Sequence, residues 1–257
     1  MTMATTGAVR LGALARAELT LMGRNKATLS TALVLPTVMT VSMSSVVKDM
    51  DLDDTGLTVG SVLLPGALGY VLLFAVYSAL VGVFVVRREQ LVLKRLRTGE
   101  LTDQEILAGA SFPTVAVGVV QCVLIAVVGS VAMGVAAPRA VWLALLGLVL
   151  GMVLMCALAA ATAAVTRSAE GAQITITPML LLSMAGSGLV VPLDVMPDRL
   201  ASVCELLPLT PVVGMIRTGW TGGVDGYETL GQVATAVAWT VIAVFAVRKW
   251  FRWEPRR

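Results

Sequence analysis

The sequence predicts an all-α integral membrane protein with six transmembrane helices. Three observations carry this: the composition, six charge-free stretches, and the distribution of Lys and Arg between them. Of 257 residues, 57% are hydrophobic and 14% are charged. A soluble chain carries about 25% charge, so the apolar excess here faces lipid. Residues 27–47, 61–86, 111–135, 141–165, 172–191 and 229–247 contain no Asp, Glu, Lys or Arg. At about 1.5 Å per residue, roughly 20 residues cross a ~30 Å hydrocarbon core. The stretches hold 21, 26, 25, 25, 20 and 19 residues, so each is long enough. A single segment satisfies its own backbone in lipid only as a helix. The whole chain, 1–257, therefore reads as one transmembrane domain.

Cationic side chains fix the orientation. Segments 1–26, 87–110, 166–171 and the tail after residue 247 hold 15 Lys and Arg, and the alternate loops hold 4. Positive loops stay inside, which puts both termini in the cytoplasm.

Residues 9–24 precede the first span as an amphipathic, interfacial helix. Leu11, Leu14, Ala15, Leu19, Leu21 and Met22 share one face, and Arg10, Arg16, Thr20 and Arg24 the other. Glu18 projects from the middle of the apolar face. A carboxylate there either snorkels to the headgroups or pairs with a basic residue of 87–97. The first span contains Pro36 and is followed by no small-residue cleavage site, so it reads as a retained span rather than a secretory signal.

The 87–105 segment is predicted to continue the second span as a helix to Arg97, with Leu91, Val92 and Leu96 as an apolar stripe. Gly99 stops that helix. Thr102-Asp103-Gln104-Glu105 is a capping box that opens a second helix leading into span three. Such a connector either lies on the headgroups or takes force from a docked partner. In span four Gly147 and Gly151, and in span five Ser183, Gly186, Ser187 and Gly188, allow close helix packing. The second group also suits a hinge or a subunit seam.

Between spans five and six, residues 192–228 carry Pro192, Pro197, Pro208 and Pro211, yet 200–216 is strongly apolar. Each apolar piece is too short to cross, which predicts re-entrant or interfacial helices on the outer side. Arg217 and the Trp220-Thr221-Gly222-Gly223 turn lead back to span six. The end, Arg248-Lys249-Trp250-Phe251-Arg252-Trp253, alternates basic and aromatic residues as an interfacial anchor does.

Catalytic chemistry finds no foothold. Histidine is absent, and Cys122, Cys156 and Cys204 are far apart, as small buried hydrophobes are. There is no nucleophile elbow, phosphate-binding loop or paired intramembrane carboxylate. The sequence therefore predicts no catalytic or metal-binding residues and no nucleic-acid partner. Ion-driven carriers place ionisable groups within their spans, and these spans have none. Uphill transport would draw its energy from a partner at the cytoplasmic face. A passive channel stays open as a reading, though no ring of charge or filter sequence points to one.

Two segments carry a resemblance. One runs from Ala172-Gln173 through span five to Pro192, Met196-Pro197, Leu206-Leu207-Pro208-Leu209-Thr210-Pro211 and Arg217. The other is Arg88-Glu89 with Lys94-Arg95-Leu96-Arg97-Thr98-Gly99 and Leu101-Thr102. Both resemble type-2 ATP-binding-cassette (ABC) permeases, the membrane subunits of bacterial drug, lipid and polysaccharide exporters. The resemblance spans nearly the whole chain. It implies that 9–24 is an elbow helix, with Arg16 and Glu18. It implies a coupling segment contacting a separate ATPase through Arg88, Glu89, Leu91, Val92, Lys94, Arg95, Leu96, Thr98, Glu100, Leu101 and Thr102. Glu100 stands where many members carry proline. Pro192, Pro197, Pro208, Pro211 and Arg217 would shape the outer re-entrant region. Spans one, two and five would surround a cargo path near Met39, Met43, Phe74, Tyr77, Met179, Ser183 and Ser187.

The implied assembly is a homodimer in a bacterial plasma membrane with two ATP-binding subunits. Those subunits would hold ATP and Mg, and this chain would bind no cofactor. The cargo expected is a drug, natural product or lipid, as in multidrug efflux and antibiotic resistance. A polysaccharide or glycolipid exporter of the same family, or a stand-alone carrier or channel, is the alternative.

Overall fold

The computed structural model describes residues 58–99, 101–133, 137–189 and 191–254, with the isolated positions Val38 and Ser42. The elbow helix, the rest of the first span with Met39 and Met43, and Glu100 lie outside the described residues. Among those described, every regular element is helical.

Helix α1, Val59–Glu89, is the axis of the fold. It opens with a reciprocal cap: Thr58 Oγ1 accepts from the Ser61 amide at 3.2 Å, and Ser61 Oγ accepts from the Thr58 amide at 2.9 Å. Over Val71–Ser78 it widens into a π-helix, and it is α-helical again from Ala79. Leu64, Leu68, Leu72, Val76 and Leu80 are all buried, because α1 is surrounded by later helices.

The helix predicted to run on to Arg97 is broken. Helix α1 ends at Glu89, and Leu91 adopts a left-handed conformation with φ 59°. A separate short helix, α2, then spans Val92–Arg97. The corner rotates the inward face, so the buried residue is Leu93, and the predicted stripe residue Leu91 is 38% exposed.

Helix α3, Asp103–Met133, is one 31-residue element, which joins the predicted connector helix to span three. Its capping box forms: Glu105 Oε2 accepts from the Thr102 amide at 2.8 Å, and the Glu105 amide donates to Thr102 Oγ1 at 3.3 Å. Helix α4, Val141–Val165, coincides with the predicted fourth span.

Helix α5, Ala169–Gly186, departs from the predicted 172–191. It starts earlier because Ser168 Oγ accepts from the Gly171 amide at 3.2 Å. It stops because Gly188 takes φ +67° and Pro192 follows. With 18 residues it is roughly 27 Å long, and Glu170 and Gln173 sit in its first turns. Among the described residues, α1, α3, α4 and the last helix are long and apolar enough to cross a membrane; α5 is not one of them.

Beyond α5 come a 3-10 turn (Leu193–Val195), α6 (Asp198–Cys204) and α7 (Thr210–Thr221). Pro211 preorganises the first turn of α7. Val212, Val213, Met215 and Ile216 are buried, because α7 is wedged between α1, α4 and the last helix, α8 (Gly226–Trp250). Small residues make the wedge possible. A Cβ on Gly151 would lie 2.6 Å from Val212 Cγ1, and one on Gly147 3.0 Å from Met215 Cβ. The Gly-x-x-x-Gly face of α4 thus receives α7. Helix α8 packs on α4 and α7, and Trp239 Nε1 donates to the Leu206 carbonyl at 2.9 Å.

The outward rows are apolar. Val120, Val123, Leu124, Val127, Val128 and Val131 of α3 are exposed at helical spacing, as are Trp142, Leu145, Val149 and Val153 of α4 and Val237, Val241 and Phe245 of α8. Rows of this kind face lipid.

Candidate functional site

At one end of the bundle, two consecutive charged residues join α1 to the turn between α4 and α5. Arg88 is 1% exposed. Its Nη1 donates to the Ala163 carbonyl at 2.8 Å and its Nη2 to the Thr166 carbonyl at 2.6 Å. These carbonyls end α4, where the helix dipole is negative and has no intrahelical donor left. Glu89 Oε1 accepts from the Ala169 amide at 3.0 Å. That amide opens α5, where the dipole is positive. The pair therefore reads both signs of one helix–turn–helix and fixes α1, α4 and α5 to each other.

Hydroxyls reinforce the junction. Thr166 Oγ1 donates to the Thr162 carbonyl and lies 2.8 Å from Thr175 Oγ1. Tyr77 OH lies 3.1 Å from Thr162 Oγ1. Thr162, Thr166, Thr175 and Ser168 escaped the sequence reading; Ser168, two residues before an acidic first-turn Glu170, was the available capping signal.

Beside this junction sits α2. Lys94, Arg95, Arg97 and Thr98 are exposed, and Thr98 Oγ1 donates to the Arg95 carbonyl at 2.8 Å. Val92, Leu96 and Leu101 are half-buried, and Thr102 is exposed as the cap of α3. Of the residues the resemblance assigned to coupling, Arg88 points into the bundle, and Lys94 and Arg95 of α2 point outward.

The segment after α8 packs back on α1 and α2. Phe251 meets Phe84 edge-on at 6.4 Å, and Trp253 meets Phe251 at 5.1 Å. Arg97 lies 5.0 Å over the Trp253 ring, and Lys94 Nζ pairs with Glu254 Oε1 at 2.8 Å.

The opposite end has its own buried arginine. Arg217 of α7 is 9% exposed and donates to the Gly188 carbonyl, in the turn that closes α5. Pro192 and Pro208 are buried, Pro197 caps α6, and Thr210 Oγ1 donates to the Cys204 carbonyl at 2.6 Å. A cavity of about 770 Å³ opens here; Ser187, Arg217, Thr218, Tyr227, Glu228 and Gln232 are among its lining residues. Its walls mix these polar groups with Leu193, Leu206, Pro211 and Val213.

The other described cargo-path residues are not brought to that cavity. Phe74 stacks on Tyr70 at 6.2 Å between centroids, Tyr77 is buried against α4, and Ser183 Oγ lies 3.8 Å from Met179 Sδ. Ser187 lines the cavity, one turn beyond Ser183.

A family model described as ABC-2 type transporter matches residues 9–219. A search of curated proteins returned no match. The match takes in α1 to α7, and with them the Arg88–Glu89 junction and the Arg217 turn, within a bundle whose outward rows face lipid. The chain belongs to the ABC-2 type transporter family and is a multi-pass membrane permease.

Proposed function

We propose that this chain is the transmembrane subunit of an ATP-driven exporter, working as a homodimer with two separate ATP-binding subunits in a bacterial plasma membrane. Its cargo is hydrophobic or amphipathic: a drug, natural product or lipid. Permeases of this family generally partner with an ATP-binding subunit. The observation that carries the reading is the Arg88–Glu89 junction, which makes the ends of α1, α4 and α5 one rigid unit next to the exposed, basic α2. A push on α2 from the cytoplasm is then delivered to α1, α4 and α5 together. Charge-free segments 61–86, 141–165 and 172–191 support an external energy source, since ion coupling needs titratable groups at depth.

One observation favours a second reading, export of a glycolipid or polysaccharide. The outer cavity is lined by Thr210, Thr218, Thr221, Tyr227 and Gln232, groups that hydrogen-bond sugars.

The test is co-expression with an ATP-binding subunit of this transporter class. The reading predicts a stable complex that hydrolyses ATP and is lost when Lys94 and Arg95 are both changed to Glu. A permease that purifies free of the subunit would contradict it. Export of a fluorescent amphipathic dye, against export of a lipid-linked glycan, separates the two cargo readings.

A further inference from the structure

We infer that residues 251–254 form a strap that sets the orientation of α2, which makes Trp253 and Glu254 positioning residues for coupling. The functional half of this inference rests on the reading above; the structural half does not.

Apart from the strap, helix α2 is held by its neighbours α1 and α3. It is six residues long, too short to be stable alone. On one side it leaves α1 through the left-handed corner at Leu91, and on the other it is cut from α3 by the break before Asp103. Leu93 is its one buried side chain. Toward α8 there is no packed wall: Phe84, Arg97, Phe112, Met152, Val247 and Trp253 are among the residues around a cavity of about 790 Å³. The strap crosses the edge of that cavity.

Its contacts form a chain from core to surface. Phe84, 1% exposed, holds Phe251; Phe251 holds Trp253; and Trp253 carries the Arg97 guanidinium. Arg97 is also bound to Asp103 at 3.0 and 3.4 Å, so the first turn of α3 joins the same cluster. The Lys94–Glu254 pair adds a second point on α2, with both side chains half-exposed or more. Each contact is weak in water. Together they oppose a swivel of α2 about Leu91, and they tie its movement to α8. Without the strap, a load on α2 would turn the short helix instead of moving the bundle.

The experiment uses the full chain in lipid nanodiscs, with Cys122, Cys156 and Cys204 changed to Ala and Leu93→Cys as the reporter. Trp253→Ala should raise the rate of maleimide modification at position 93 at least tenfold, and Trp253→Phe should leave it low. An unchanged rate in Trp253→Ala combined with Glu254→Lys would overturn the strap. Should Leu93→Cys not fold, a spin label on Arg95→Cys reports the same release as increased mobility. In the complex with the ATP-binding subunit, Trp253→Ala should keep ATP hydrolysis but move at least fivefold less dye per ATP. In the chain without that subunit, Lys94→Glu should restore part of the low modification rate that Glu254→Lys loses. Raised modification with an unchanged transport ratio would overturn the positioning role. Failure of the intact complex to transport would sink the exporter reading, and the modification rates would still decide the strap.

Discussion

Arg88 reaches carbonyls 75 and 78 residues away in the chain, and that distance explains what its sequence context conceals. A basic pair at the end of an apolar run reads as a headgroup contact. The inward turn of one of the two depends on where α4 ends, which no local pattern states. Removing the side chain leaves two helix-terminal carbonyls without a buried donor, and bonds to charged groups are worth about 1.5–3 kcal/mol each. Arg88→Ala should therefore lower the thermal midpoint of the purified chain markedly. Arg88→Lys, which keeps the charge but not the fork, should recover part of the loss. Glu89 is exposed, so Glu89→Gln should cost only a few tenths of a kcal/mol, through the helix dipole. Leu91 gives the opposite sign. A left-handed residue costs about 1–2 kcal/mol, and glycine's extra entropy loss takes back about 0.5–1. Leu91→Gly should stabilise the chain by up to about 1.5 kcal/mol in the same measurement.

At the level of elements, the charge-free criterion located α4 to the residue, because Arg139 and Arg167 flank it closely. It overran α5, because Ser187-Gly188-Leu189 is uncharged but is a turn. The α1–α2 break had no sequence signal at all, since leucine is not a turn former. Proline and glycine patterning indicated short outer helices, but the wedging of α7 between α1, α4 and α8 is a tertiary fact. Its tightness makes a graded prediction. A Cβ on Gly219 would lie 2.7 Å from the Ala144 amide nitrogen, which is backbone and cannot turn aside. A Cβ on Gly147 meets its neighbours at 3.0 Å or more. Gly219→Ala should cost about 1–3 kcal/mol by overpacking, and Gly147→Ala should cost less. Thermal unfolding of the two variants in one detergent checks the order.

For the whole molecule, composition alone carried the membrane assignment, and the outward apolar rows of α3, α4 and α8 agree with it. The cargo route was far less legible. Phe74, Tyr77, Met179 and Ser183 lie on helical faces that suit either a pathway or a packed core, and only tertiary packing decides between them. In the proposed mechanism the bundle contributes a rigid, three-helix lever, and the work comes from outside the chain. Reconstituted liposomes test this most directly. The chain together with an ATP-binding subunit, and the chain alone, are each given ATP or an imposed proton or sodium gradient, and dye movement is followed. Movement with ATP in the complex, abolished by vanadate, and none under either gradient is the predicted result. Uphill movement by the chain alone on an ion gradient would contradict the account.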